Sequence, residues 1–163
     1  VSIYPNGPKC NCGRRGCVEA YVGNSAVIKR AYSLLRGRDV INRVSTTCIT
    51  PELITDMAKK GDTKAQMLWS QTAEYLGAGL VMIVNVLDPE VIVIGGGMAG
   101  AGRFLFNPLR KYIRKYAMSV PAKAVKIVKA KLGNDAGVIG AAELVRQNVC
   151  HSEPRRGEES ERI

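Results

Sequence analysis

The chain has 163 residues, 46% of them hydrophobic, and 24 Lys and Arg against 14 Asp and Glu, a formal net charge of +10. This length and apolar content support one folded domain with a core of its own. They exclude a membrane-spanning helix, because no run reaches the ~18 consecutive apolar residues of a span, and the longest, Leu76 to Leu87, is broken by Asn85.

Residues 1–7 are predicted to close a strand in the turn Pro5-Asn6-Gly7, and residues 8–18 form a cysteine-rich loop. Apolar positions then recur at helical spacing from Val18 to Leu35, with Gly37 as the stop. Residues 38–49 read as a loop holding Cys48. Thr50-Pro51-Glu52 is a helix entry, Thr as cap and Pro at the first position, and that helix ends at Gly61. Asp62 opens a second helix from Thr63 to Leu87. After Gly77-Ala78-Gly79 this helix is almost wholly apolar, which predicts burial on all sides and close backbone approach at the small residues.

Val91-Ile92-Val93-Ile94, between Asp88-Pro89 and Gly95-Gly96-Gly97, has the pattern of a strand covered on both faces. A helix from Arg103 to Tyr116, a strand from Val125 to Ala130 and a helix from Asp135 to Val145 complete the pattern. From His151 onward there is no apolar periodicity, so residues 150–163 are expected to form a disordered tail. The layout is an α/β half-domain. It opens without Met in a β-branched run, as a fragment of a longer protein would, although processing or the choice of expressed segment gives the same start. Its first residues have neither the basic start nor the apolar run of a secretory signal.

Much of the positive charge is spread, from Lys29 and Arg30 to Lys59 and Lys60. Arg110, Lys111, Arg114 and Lys115 repeat at helical spacing. They read as a solvated helix face, with a polyanion-binding surface as the alternative.

Cys10, Cys12 and Cys17 place three soft ligands within eight residues, around Gly13 and Gly16. Such a cluster suggests a zinc site lacking its fourth ligand, three free thiols being the alternative; Cys-x-Cys is tighter than the usual ligand spacing. The single histidine, His151, is remote in sequence. Five cysteines, three of them crowded, fit a reducing cytoplasm better than a disulfide framework. Glu19 alone is a carboxylate at a helix start. Gly95-Gly96-Gly97-Met98-Ala99 follows a strand and precedes a helix, where open α/β proteins bind ligands. It lacks both the G-x-G-x-x-G spacing and the Gly-Lys-Ser/Thr of a phosphate loop, so a tight turn and a nucleotide site remain alternatives.

Together these residues resemble a known family. Cys10-x-Cys12-Gly13-x-x-Gly16-Cys17-x-Glu19-Ala20 is similar to the signature of the ROK family (repressors, open reading frames and kinases). Asp88-Pro89-x-x-Ile92-Val93-Ile94-Gly95-Gly96 and Gly133-x-x-Ala136-Gly137-x-x-Gly140-Ala141-Ala142 agree in order and spacing, and the resemblance covers residues 1 to about 147. It implies an α/β fold, the C-terminal lobe of an actin-like ATPase (RNase H-like) over residues 1–149, with long helices and a zinc-loop insertion at residues 8–18.

The resemblance also implies an ATP-dependent, glucokinase-like hexose kinase that uses Mg²⁺ and commonly forms a homodimer. It makes Cys10, Cys12 and Cys17 ligands of a structural Zn²⁺, Glu19 a contact to sugar hydroxyls, and Gly95, Gly96 and Gly97 the packing surface for the adenosine end of ATP. The family's zinc histidine, its phosphate loops and its catalytic aspartate have no match here, and are expected upstream of Val1. The chain alone is therefore expected to have no kinase activity. An alternative is the sugar-sensing lobe of a ROK repressor, whose nucleic-acid partner would bind elsewhere; another is a non-catalytic interaction module. The glycine loop favours the kinase.

Overall fold

Two of the described helices begin where a side chain, that of Thr50 or of Asp62, takes an otherwise unpaired backbone amide. The computed structural model describes residues 1–35 and 49–151, which fall into two units divided between Lys131 and Leu132. Helix α1 covers Glu19–Val22 and α2 Asn24–Leu35. The single predicted helix is thus split at Gly23, whose ψ of 151° leaves helical space. Its amide still donates to the Glu19 carbonyl at 2.8 Å, and its carbonyl accepts from Val27 at 3.0 Å, so the corner takes one residue.

Helix α3 spans Pro51–Lys59, with the Thr50 hydroxyl accepting from the Leu53 amide at 3.2 Å. Helix α4 spans Thr63–Leu87, and the Asp62 carboxylate accepts from the amides of Lys64 and Ala65 at 2.9 and 3.1 Å. Strand β1 is Val91–Ile94 and leads through a 3-10 turn, Gly97–Ala101, into α5, Arg103–Tyr116. Helix α6, Ser119–Ala124, then delivers β2, Lys126–Lys129, which pairs in parallel with β1 from Val91↔Lys126 to Ile94↔Lys129. The result is helix-rich, with a two-stranded parallel sheet among the described residues.

The core lies between α2, α3, α4 and α5, where Val27, Leu35, Ile54, Leu68, Trp69, Leu105, Leu109 and Ile113 are buried. Helices α4 and α5 meet where the sequence places a glycine: a Cβ on Gly77 would stand 2.6 Å from Cδ1 of Tyr112. The expected close approach is therefore real, but the expected burial of α4 on all sides is not. Val84 is fully buried while Val86 and Leu87 are 78% and 70% exposed, because only one face of the helix end meets the core. Strand β1 differs from expectation in the same way. Ile92 and Ile94 pack on the core, and Val93, pointing the other way, is 61% exposed.

Two further differences are local. Residues 1–7 form no regular strand; Ser2 makes a single antiparallel bridge to Cys17. The predicted strand ending at Ala130 is shorter by a residue at each end. In the second unit a 3-10 turn, Gly133–Asp135, opens α7, Ala136–His151. This helix runs beyond Val145, and Glu143 pairs with Arg146 at 2.6 Å on its surface. Cys150 and His151 thus close α7. The rest of the expected tail, Gly37, and the expected loop with Cys48 lie outside the described residues.

Candidate functional site

The cysteine loop is a tight hairpin held by its own backbone. The Cys10 amide donates to Arg14 O at 2.8 Å, Gly13 donates to Cys10 O at 3.0 Å, and Gly16 donates to Pro8 O at 2.9 Å. Lys9 and Arg15 form the antiparallel bridge that closes it. Gly13 and Gly16 have φ of +84° and +69°, conformations that side-chain-bearing residues rarely adopt. At Gly16 a Cβ would also overlap the Tyr4 carbonyl.

Behind the loop, Tyr21 stacks on Tyr75 with centroids 4.4 Å apart, and Tyr4 meets both edge-on. Arg30 lies over Tyr75, and its Nη2 donates to Tyr21 O and Thr72 Oγ1, both at 2.9 Å. This brace ties the loop to α1, α2 and α4. It went unseen in the sequence, since its members lie up to 71 positions apart.

The hairpin brings the Sγ atoms of Cys10, Cys12 and Cys17 within 4.8 Å of one another, the only such group of possible metal ligands among the described residues. Cys12 and Cys17 are 3.6 Å apart. Thiolates sharing one tetrahedral zinc are about 3.8 Å apart, from a Zn–S bond of about 2.3 Å, so the donor set fits zinc. Cys10 and Cys17 are buried and Cys12 is exposed, leaving one side for a further ligand. The backbone amide of Arg14 holds the Cys12 thiol below its ordinary value of 9.0. The hydrogen bond with Cys12, then desolvation, pushes Cys17 up to about 11. A divalent cation would relieve this crowding by holding all three as thiolates.

Cys10, Cys12, Cys17 and Glu19 line one cavity of about 570 Å³, within the range of small-molecule sites. Its other wall is α4, through Leu76, Gly79, Leu80 and Ile83. Glu19, the only carboxylate in the lining, starts α1 beside Val18, which packs directly on Gly79. The contribution of α4 was missed in the sequence, although Leu76, Leu80 and Ile83 share a face at i, i+4, i+7.

Gly95, Gly96 and Gly97 are elsewhere, at the carboxyl end of β1. Gly96 has φ of +79°, and a Cβ there would meet nothing within 4 Å, so bare backbone faces open space. Gly97 and Gly100 line a groove of about 260 Å³ whose opposite wall is Glu52, Thr55, Asp56 and Lys59 of α3. Lys59 bonds Asp56 at 2.9 Å and holds its carboxyl below the usual range. Spacing of i, i+3, i+4, i+7 marks this face of α3, but nothing local said that it would meet the glycine turn. No described helix is long and apolar enough to cross a membrane.

Comparison with known proteins agrees with the motifs. The model of the ROK family matches residues 1–148. A glucokinase of Thermotoga maritima is 31% identical over 153 residues, covering 91% of this chain and 48% of the relative. The DNA-binding transcriptional dual regulator NagC of Escherichia coli K12 is 28% identical over 151 residues, 93% of this chain and 37% of its own. A ROK family glucokinase from Streptomyces griseus, solved in complex with glucose and AMPPNP, superposes with a TM-score of 0.77 at 30% identity over 90% of this chain and 50% of that one. The chain thus spans half or less of the length of these relatives.

Proposed function

The chain belongs to the ROK family, and from that membership we propose that it works as part of an ATP-dependent, glucokinase-like hexose kinase. In this reading residues 1–149 are the C-terminal lobe of an actin-like ATPase fold. The observation that carries the proposal is that three thiols with zinc-compatible spacing and one carboxylate share a sugar-sized cavity.

Cys10, Cys12 and Cys17 would hold a structural Zn²⁺, which supplies a rigid crosslink to the loop when bound. Glu19 would accept hydrogen bonds from sugar hydroxyls, a charge-assisted contact that orients the acceptor. Leu76, Leu80 and Ile83 would offer the apolar face of the sugar a dry wall. The adenosine end of ATP would pack on Gly95, Gly96 and Gly97, with the α3 face opposite, and Mg²⁺ would accompany the phosphates. We place the protein in the cytoplasm, consistent with its thiols, and as a homodimer through this lobe. No residue of the chain matches the family's catalytic aspartate or phosphate loops, so the 163 residues alone are proposed to be inactive.

The resemblance to NagC supports a second reading, the sugar-sensing lobe of a repressor. Nucleotide binding separates the two. Titration with AMPPNP, followed by amide chemical shifts, should perturb Gly95, Gly96, Gly97 and the α3 face if the kinase reading holds. A chain that binds sugar at the Glu19 cavity and no nucleotide supports the repressor.

A further inference from the structure

The basic residues of α5 belong to a second concavity. Arg110 and Arg114, one turn apart on α5, converge with Lys123 of α6 and Lys126 of β2 around a groove of about 330 Å³. Ile113 and Ile127, both buried, form its floor. Arg110 is held in place: its Nη2 donates to Ile127 O at 2.8 Å, and its guanidinium lies 5.5 Å over the Phe106 ring. Arg114, Lys123 and Lys126 are exposed, and among the described residues none of the four cations makes an ion pair. Glu90, whose carbonyl takes the Lys126 amide at 2.8 Å, contributes nothing to the lining.

Four cations around one concavity, with no ion pair among the described residues, repel one another and focus a positive potential. Folding brings them together from three elements, and an anion would relieve the repulsion. The groove lies at the amino end of β2, whereas Gly95–Gly97 follow the carboxyl end of the parallel strand β1, so it is distinct from the nucleotide-side turn.

We propose that this groove binds a small phosphate-bearing anion. Two arginines offer the planar forks that match phosphate oxygens, and two lysines add point charges. The size of the groove suits a diphosphate or sugar phosphate. A nucleic-acid strand fits less well, because no aromatic side chain lines the groove to stack a base. The site is independent of the kinase or repressor reading, since it uses none of the residues of either.

The test is titration of the full chain with inorganic pyrophosphate at near-physiological ionic strength, by calorimetry and by amide shifts. Binding is expected to perturb α5, α6 and β2, and Arg114→Gln with Lys126→Gln should weaken it by about tenfold or more. Both positions are exposed, so the melting temperature should not fall; Lys64→Gln, exposed on α4 and outside every groove described, should leave the affinity unchanged. The proposal is overturned by an absence of pyrophosphate binding, by shifts confined to Gly95–Gly97, or by an affinity that the double variant does not change. Binding of single-stranded DNA through these residues without pyrophosphate binding also overturns it.

Discussion

A Cβ on Gly79 would stand 2.5 Å from Cγ2 of Val18, so the Val18 side chain at the entry to α1 rests directly on the bare backbone in the middle of α4. Val18 immediately precedes Glu19 and follows Cys17, which makes this contact the reference point for both the thiol cluster and the carboxylate. Gly79→Ala should therefore do two things. Overpacking costs about 1–3 kcal/mol, offset in part by the ~1 kcal/mol by which Ala is the better helix former, so a modest fall in melting temperature is expected. Displacement of Glu19 should weaken sugar binding by more than stability alone explains. Wild-type sugar affinity in a folded Gly79→Ala protein would show that the contact does not position Glu19.

The thiol cluster gives a pH signature. In the metal-free chain the backbone hydrogen bond at Arg14 holds Cys12 below its ordinary value, and the hydrogen bond with Cys12 pushes Cys17 up to about 11. Because Cys17 is raised above its ordinary 9.0 in the folded protein, its contribution to stability is present below pH 9 and lost as pH rises toward 11. Cys12, shifted down, acts in the opposite sense and contributes above its ordinary value. Zinc holds thiolates, so its binding should release protons and weaken as pH falls. Thermal melts with and without zinc across pH 6–11 check both. Identical profiles would count against zinc on these thiols.

With three thiolates the site should release zinc to a mild chelator more readily than a closed four-ligand site. Cys17→Ser should lose the metal altogether, read by metal analysis and by the thiolate-to-metal absorption of a Co²⁺ substitute. Full occupancy that survives the chelator would mean that a fourth ligand completes the site.

At the nucleotide-side turn, Gly96→Ala meets no steric obstacle, yet its φ of +79° with ψ of 179° is nearly exclusive to glycine. The substitution should cost about 1–3 kcal/mol of local strain. It should weaken AMPPNP binding while leaving zinc content unchanged. Loss of both together would mean that the two sites are not independent.

The 163-residue chain should not transfer phosphate from ATP to glucose, since it holds no match for the family's catalytic base or phosphate loops. A coupled assay for glucose 6-phosphate reads this directly, and any turnover above a zinc-free, heat-treated control would refute it.

What the sequence made legible was local or glycine-marked. Thr50 and Asp62 announced their helices through cap chemistry that needs no tertiary structure. Gly77 and Gly79 announced close approach, and the structure supplied Tyr112 and Val18 as the partners. The break at Gly23 was not legible, because a glycine inside an apolar helical pattern is ordinarily tolerated. Val93 was misjudged for a related reason: a short run of apolar β-branched residues reads as buried on both faces, and periodicity cannot say which face finds a partner. In the candidate site, Cys10, Cys12 and Cys17 were singled out by their spacing, and Glu19 by the family resemblance. The wall from α4, the α3 face opposite Gly97 and the Arg30–Tyr75 brace depend on pairings distant in sequence, so only the fold revealed them.

The central claim is that the thiol cluster braces a sugar cavity in which Glu19 is the contact. The most direct measurement is glucose titration of the zinc-loaded chain by amide chemical shifts, beside Glu19→Gln. The account predicts shifts at Glu19, Val18, Gly79 and Leu80 that depend on zinc and are lost in Glu19→Gln, with metal content unchanged. Shifts absent from these residues, or unchanged in Glu19→Gln, would contradict it.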